Sequence, residues 1–163
     1  DLTVLRRAHA AMQARLEAAW ARRSADTPLR NADQALILAS IVEKETGPKD
    51  DPGQVAGVFL NRLRIGMPLQ SDPTVIYGLG EAFDGNLRKR DLLADGAFNS
   101  YTRGGLPPTP IAMPSQRSLM AVIQPTPTSA LYFVSRGDGS SEFSDNLADH
   151  NRAVNKYQRK TAP

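Results

Sequence analysis

Leu38-Ala39-Ser40-Ile41-Val42-Glu43-Lys44-Glu45-Thr46 sets two carboxylates at the end of an apolar run. On a helical wheel of about 100° per residue, Ala35, Leu36, Ile37, Leu38, Ala39, Ile41 and Val42 surround nearly the whole circumference. Only Ser40 and Lys44 mark a polar side. A helix that is apolar nearly all round is a buried helix. Glu43 falls between the columns of Leu36 and Ala39, and Glu45 lies nearer Leu38 and Ile41. Burial disfavours a charged carboxylate, and the negative end of the helix dipole disfavours it further. A Glu kept protonated near neutral pH is a ready general acid. Periodicity does not choose between the two, and a solvated last turn, with Lys44 reaching the surface, is the plain alternative.

Working outward, Asn31-Ala32-Asp33-Gln34 resembles a capping box that opens this helix, and Gly47-Pro48 closes it. Upstream, residues 2–23 read as an amphipathic helix with Leu2, Leu5, Met12, Leu16, Ala19 and Trp20 on one stripe, Trp20 being a core anchor; Thr27-Pro28 breaks it. Downstream, Asp51-Pro52 starts a helix with Val55, Val58, Phe59 and Leu63 inward. Residues 64–72 read as loop, Ser71-Asp72-Pro73-Thr74 starts a short helix that Gly78 and Gly80 end, and Asp91-Leu92-Leu93 begins another. Gly104-Gly105-Leu106-Pro107-Pro108-Thr109-Pro110 cannot be regular structure. Its stiffness suits either a loop ordered around a ligand or a plain connector. Ser115–Ile123 reads as a helix, Leu131–Ser135 and Glu142–Ser144 as a hairpin around Arg136-Gly137-Asp138-Gly139, and Asn146–Lys160 as a closing helix. The predicted class is α+β: a single helix-rich domain with a small antiparallel sheet.

The bulk numbers exclude several functions. With 163 residues one domain can hold a real core. No apolar run reaches the ~18 residues of a membrane span. The absence of cysteine removes disulfides, thiolate metal sites and Cys nucleophiles. His9 and His150 lie in unrelated segments, read as surface or packing residues, and point to neither a metal site nor a Ser-His-Asp triad. The net charge of +3 is scattered over Arg6-Arg7, Arg22-Arg23, Arg88-Lys89-Arg90 and Arg159-Lys160 without interleaved aromatics, so no nucleic-acid partner is expected. With neither initiator Met nor signal peptide, the chain is read as a mature or excised fragment.

Several blocks then resemble, in order, the YceG-like family of endolytic murein transglycosylases. They are Leu38–Thr46, Val58–Leu63, Met67–Gly78, Asn99–Thr102, Gly105–Ile111, Leu131–Val134 and Asn151. The resemblance covers roughly residues 31–158, and residues 1–30 are similar to the helix and connector that precede the family's catalytic Glu. It implies that residues 1–163 form the catalytic domain, without the family's N-terminal transmembrane helix and LysM-like subdomain. It also implies cleavage of the bond between N-acetylmuramic acid and N-acetylglucosamine inside peptidoglycan glycan strands, leaving 1,6-anhydro ends. The implied catalytic residue is the first Glu of the motif, Glu43, with no metal and no cofactor. The implied setting is the inner membrane, with this domain in the periplasm, membrane contact only through the missing anchor, and penicillin-binding proteins as partners.

Gln70, Ser71, Asp72, Asn99 and Tyr101 fall in motif blocks rich in donors and acceptors and are the candidate substrate contacts. Asp72, before Pro73, is favoured as a helix cap, Asn61 as a backbone partner, and Glu45 as a group that tunes Glu43 or ties down a loop. Three other readings compete: a muramidase with Asp72 or Glu45 as second carboxylate, a non-catalytic peptidoglycan-binding module, and a basic nucleic-acid-binding domain, for which the sequence offers no groove-reading motif.

Overall fold

The computed structural model describes residues 1–158; residues 159 and 160 of the expected closing helix lie outside them. Its helices are α1 (Leu2–Trp20), α2 (Ala32–Glu45), α3 (Pro52–Arg64), α4 (Asp72–Leu79), α5 (Lys89–Leu93), α6 (Gln116–Ile123) and α7 (Leu147–Tyr157), with a 3₁₀ turn at Gly80–Ala82. Strands β1 (Tyr132–Ser135) and β2 (Ser141–Ser144) pair antiparallel, with Phe133 opposite Phe143. The α+β class is as the sequence indicates.

α2 is the central element. Leu38, Ala39, Ser40, Ile41 and Val42 have no exposed surface, and α1, α3, α4 and α6 pack around the helix. Its N-cap is Asn31, whose Oδ1 accepts from the Gln34 amide at 2.9 Å. The Gln34 side chain reaches back to the Arg30 amide, one residue before the cap, so the reciprocal bond of a capping box is displaced by one position. Ser40 does not mark a solvent face. Its hydroxyl donates to the Ile37 carbonyl at 2.6 Å and accepts from the Ile111 amide at 2.9 Å, tying the proline-rich loop to the core.

α1 docks only through its last turns. Leu16 and Ala19 are buried, while Leu2 and Leu5 of the expected stripe are exposed, because α2 and α6 meet only the C-terminal end of the helix. Trp20 is partly buried, with Arg23 stacked 4.6 Å over its ring. On α3, Gly57 lets the 126–128 segment come so close that a Cβ would sit 2.5 Å from the Thr128 methyl. One turn on, Asn61 Nδ2 donates to the Thr128 and Ala130 carbonyls at 2.9 and 3.0 Å, the backbone role expected of it. The hairpin joins α3 through Phe133, whose ring lies edge-on to Phe59 at 5.9 Å. α7 covers both strands. A cleft is left between α2, the 69–72 segment, the hairpin and α7.

Candidate active site

The cleft is a cavity of about 740 Å³ with Glu45, Arg62, Gln70, Asp72, Tyr101 and His150 on its walls. Glu45 projects from the end of α2 along the buried Leu38–Ile41 column, so the last helical turn delivers a carboxyl group to the cavity floor. Loss of hydration pushes its pKa up to about 7. A hydrogen bond from Ser71 and the positive charge of Arg62 act against that rise, and the charge of Asp72 adds to it. Ser71 Oγ donates to Glu45 Oε1 at 2.6 Å.

Glu43 points elsewhere. It leaves α2 on the other side and meets the start of α6, where its Oε2 accepts from Ser118 Oγ at 2.6 Å, Ser115 Oγ at 2.7 Å and the Ser115 amide at 2.9 Å. Those three bonds, the Ser118 hydroxyl first, hold its carboxyl below the usual range. An ionised carboxylate at a helix N-terminus is a favourable pairing with the dipole. This geometry suits an anchor between α2 and α6 rather than a proton donor. Glu45, expected to tune Glu43, is not among the groups that shift it. Glu43→Gln is expected to cost roughly 1 kcal/mol at pH 7. Because the folded pKa is depressed, the parent's advantage should be full above the ordinary carboxyl range and lost as pH falls through the folded value. Urea melts of both proteins at pH 7 and pH 3 would check it: equal stability at pH 7 would refute the anchoring role.

The other expected contacts divide. Gln70 has φ +51°, unusual for a residue with a side chain, and lines the cavity. Asp72 and Tyr101 line it too, joined by a 2.5 Å hydrogen bond from the Tyr101 hydroxyl to Asp72 Oδ1. Asp72 is not the N-cap. It is the first residue of α4, Ser71 holds the cap position, and the Asp72 side chain is taken by Tyr101. Burial, then the Asp72 hydrogen bond, pushes the Tyr101 phenol upward, so it stays a donor. Ser71 is fully buried and faces Glu45 instead of the cavity space. Asn99 is also buried and fully engaged. Its Nδ2 donates to the Asp91, Leu92 and Ala94 carbonyls and its Oδ1 accepts from the Tyr101 and Thr102 amides, which leaves it a clasp for the loop that presents Tyr101.

Sequence reasoning passed over two residues of this site. Arg62 sits one turn after Val58 and Phe59 on the buried face of α3, and an arginine on an apolar stripe was the available signal. His150, read as surface or packing, lines the cavity and stacks on Tyr132 at 5.0 Å. Burial, helped by Arg62, lowers its pKa and keeps the imidazole neutral. No group of three His, Asp or Glu residues suited to a metal ion occurs among the described residues.

A desolvated carboxyl on the wall of an open polar cleft is a candidate acid–base site. The sequence model of the YceG-like family matches residues 1–156, and the chain belongs to that family. It is 43% identical over 122 residues to a Bacillus subtilis protein named endolytic murein transglycosylase, covering 75% of this chain and 34% of that one. It is 34% identical over 130 residues to a Streptococcus pneumoniae protein of the same name, covering 77% and 24%. A crystallised yceG-like protein from Listeria monocytogenes has the same fold, with TM-score 0.70 and 38% identity, covering 74% of this chain and 39% of that one. The chain thus spans about a third or less of the length of these curated relatives.

Proposed function

We propose that this domain cleaves glycan strands of peptidoglycan internally, between N-acetylmuramic acid and N-acetylglucosamine, as a lytic transglycosylase with Glu45 as its one acid–base residue. The names of the relatives support the reaction class. The observation that carries the residue assignment is the Glu45 carboxyl on the wall of the cleft, its pKa pushed up to about 7 by burial, so that a substantial fraction keeps its proton near neutral pH. Protonated Glu45 gives its proton to the glycosidic oxygen, and positive charge develops at the muramic anomeric carbon as the bond breaks. The carboxylate left behind then removes the proton of the sugar's own C6 hydroxyl, whose oxygen bonds to the anomeric carbon and closes the anhydro ring. Intramolecular attack has the high effective molarity that lets it outrun water. Glu45 ends protonated, ready for the next turnover, and the step needs no second carboxylate and no cofactor.

The muramidase reading draws on Asp72, a second carboxylate on the same cavity wall. Its engagement by Tyr101 argues against a role as nucleophile or as base for water. Mass spectrometry of the released strands separates the readings, since a hydrolysed end is heavier than an anhydro end by one water. The transglycosylase reading expects anhydro ends only; reducing ends would replace it with hydrolysis. It also fixes a pH profile. The acid form is lost as pH rises, so kcat/KM should be level below pH 7 and fall by about tenfold per unit above it. A profile still level at pH 9 would remove Glu45 from the role. Periplasmic location, anchoring in the inner membrane and partnership with penicillin-binding proteins are further proposals for the whole protein, resting on family resemblance.

A further inference from the structure

Behind Glu45 lies a closed ring of buried hydroxyls. Ser71 and Thr74 have no exposed surface and Ser100 has 4%. The Ser71 amide donates to Ser100 Oγ at 2.9 Å, and Thr74 Oγ1 donates to the Ser71 carbonyl at 2.7 Å. The two hydroxyls of Ser100 and Thr74 stand 2.7 Å apart. Each hydroxyl has one proton. Of the two possible proton arrangements, the one with the shorter bonds has Ser100 donating to Thr74, because Thr74 approaches the Ser71 carbonyl to 2.7 Å and Ser100 only to 3.4 Å. The ring then runs one way, from Ser71 N–H to Ser100 to Thr74 and back to Ser71 C=O, an arrangement in which each bond polarises the next. It clamps both polar groups of the Ser71 backbone and leaves the Ser71 side chain one partner, Glu45 Oε1. Glu45 Oε2 takes no hydrogen bond among the described residues.

We propose that Ser100 and Thr74 are positioning residues for the transfer assigned above to Glu45: by fixing Ser71 against Oε1, they make Oε2 the oxygen that gives the proton to the glycosidic bond and takes one back from the C6 hydroxyl. With Oε1 occupied by a donor, a proton placed there would set two hydrogens against each other. The proton therefore rides on the oxygen that faces the cavity. The inference rests on Glu45 being the acid. The charged groups near Glu45 are Asp72 on α4 and Arg62 on α3, with the Tyr101 phenol beside them. The ring adds no titrating group, so a change in it reaches Glu45 only through the Ser71 hydrogen bond.

The test is steady-state digestion of purified peptidoglycan across pH by the whole protein and its Thr74→Val, Thr74→Ser and Ser71→Ala variants. Losing a donor to the carboxylate raises its pKa, so the alkaline limb of kcat/KM should move upward, by about one unit for Ser71→Ala and less for Thr74→Val. kcat should fall by about tenfold with KM unchanged, the mark of an interaction used in the transition state. Thr74→Ser, which keeps the hydroxyl, should restore both. A folded Thr74→Val with the parent's kcat and limb, or one changed only in KM, overturns the proposal. Ser71→Ala leaves the backbone ring intact, so an unshifted limb there overturns it independently, even if Thr74→Val does not fold. If Glu45→Gln is as active as the parent, the acid assignment itself has failed. If Glu45→Gln is inactive while the ring variants behave as the parent, only the ring has.

Discussion

Glu45→Gln is expected to lower glycan cleavage by about 10³-fold, the contribution of a positioned general acid, whereas folded Glu43→Gln should cleave at the parent's rate. The two residues are separated by one position and differ in every physical respect that matters to proton transfer. Glu45 is desolvated, has one free oxygen and faces a cavity. Glu43 gives a single oxygen to three donors and is held ionised, a state from which no proton can be delivered. A Gln at 45 keeps the size of the side chain and an acceptor for Ser71 but has no acidic proton. Stability offers a readout independent of activity. A carboxyl whose folded pKa is raised favours the fold fully below its unfolded pKa, and that advantage is lost as pH rises to the folded value of about 7. The parent should lose on the order of 3 kcal/mol between about pH 4 and pH 8 through this group, and Glu45→Gln should not. Inactivity of Glu43→Gln with full activity of Glu45→Gln would reverse the assignment and return the acid to the first Glu of the motif.

Why the sequence leaves that choice open is physical. Helical spacing established that α2 is buried and put Glu45 on the Leu38–Ile41 column, but the fate of each carboxylate depends on partners far along the chain. Ser115 and Ser118 lie more than 70 positions from Glu43, and Ser71 lies 26 from Glu45. Which hydroxyl arrives at which Glu is a tertiary fact that no local period encodes. Elements decided locally were legible: the Asn31 cap, Pro52 in the first turn of α3, the Ser115 cap of α6 and the hairpin turn with Gly137 and Gly139 at positive φ. Donor-rich composition singled out 70–72 and 99–101, two segments that meet beside the cleft. It could not tell residues that line the cavity, Gln70, Asp72 and Tyr101, from those spent inside the fold, Ser71 and Asn99. The outer half of α1 shows the same limit, since a helical stripe gives a facing direction but not how far the neighbours extend.

Arg62→Met is expected to destabilise the domain by about 3 kcal/mol, because it leaves buried acceptors without a donor. Arg62 is 7% exposed. Its Nε donates to the Leu131 carbonyl at 2.7 Å and its Nη1 to the Leu69 carbonyl at 2.6 Å, with its guanidinium 5.4 Å over the Tyr132 ring. One side chain of α3 thus ties the start of the hairpin to the segment that carries Gln70 and Ser71. Methionine fills much of the space but supplies none of the donors, and the Leu69 carbonyl belongs to a residue with no exposed surface. Lysine keeps the charge but cannot make the two directed bonds, so Arg62→Lys should recover only part of the loss. The same substitution reaches the chemistry. Arg62 is the cation that opposes the upward shift of Glu45. Its removal should carry the alkaline limb of kcat/KM to higher pH in whatever fraction remains folded, and Arg62→Lys should shift the limb less. Urea melts with a pH–rate profile on the same preparations check both effects. A full loss of stability with an unmoved limb would make Arg62 a strut alone. A moved limb in the Met variant and a smaller shift in the Lys variant would mean that the residue holding the cleft together also sets the proton affinity of its acid.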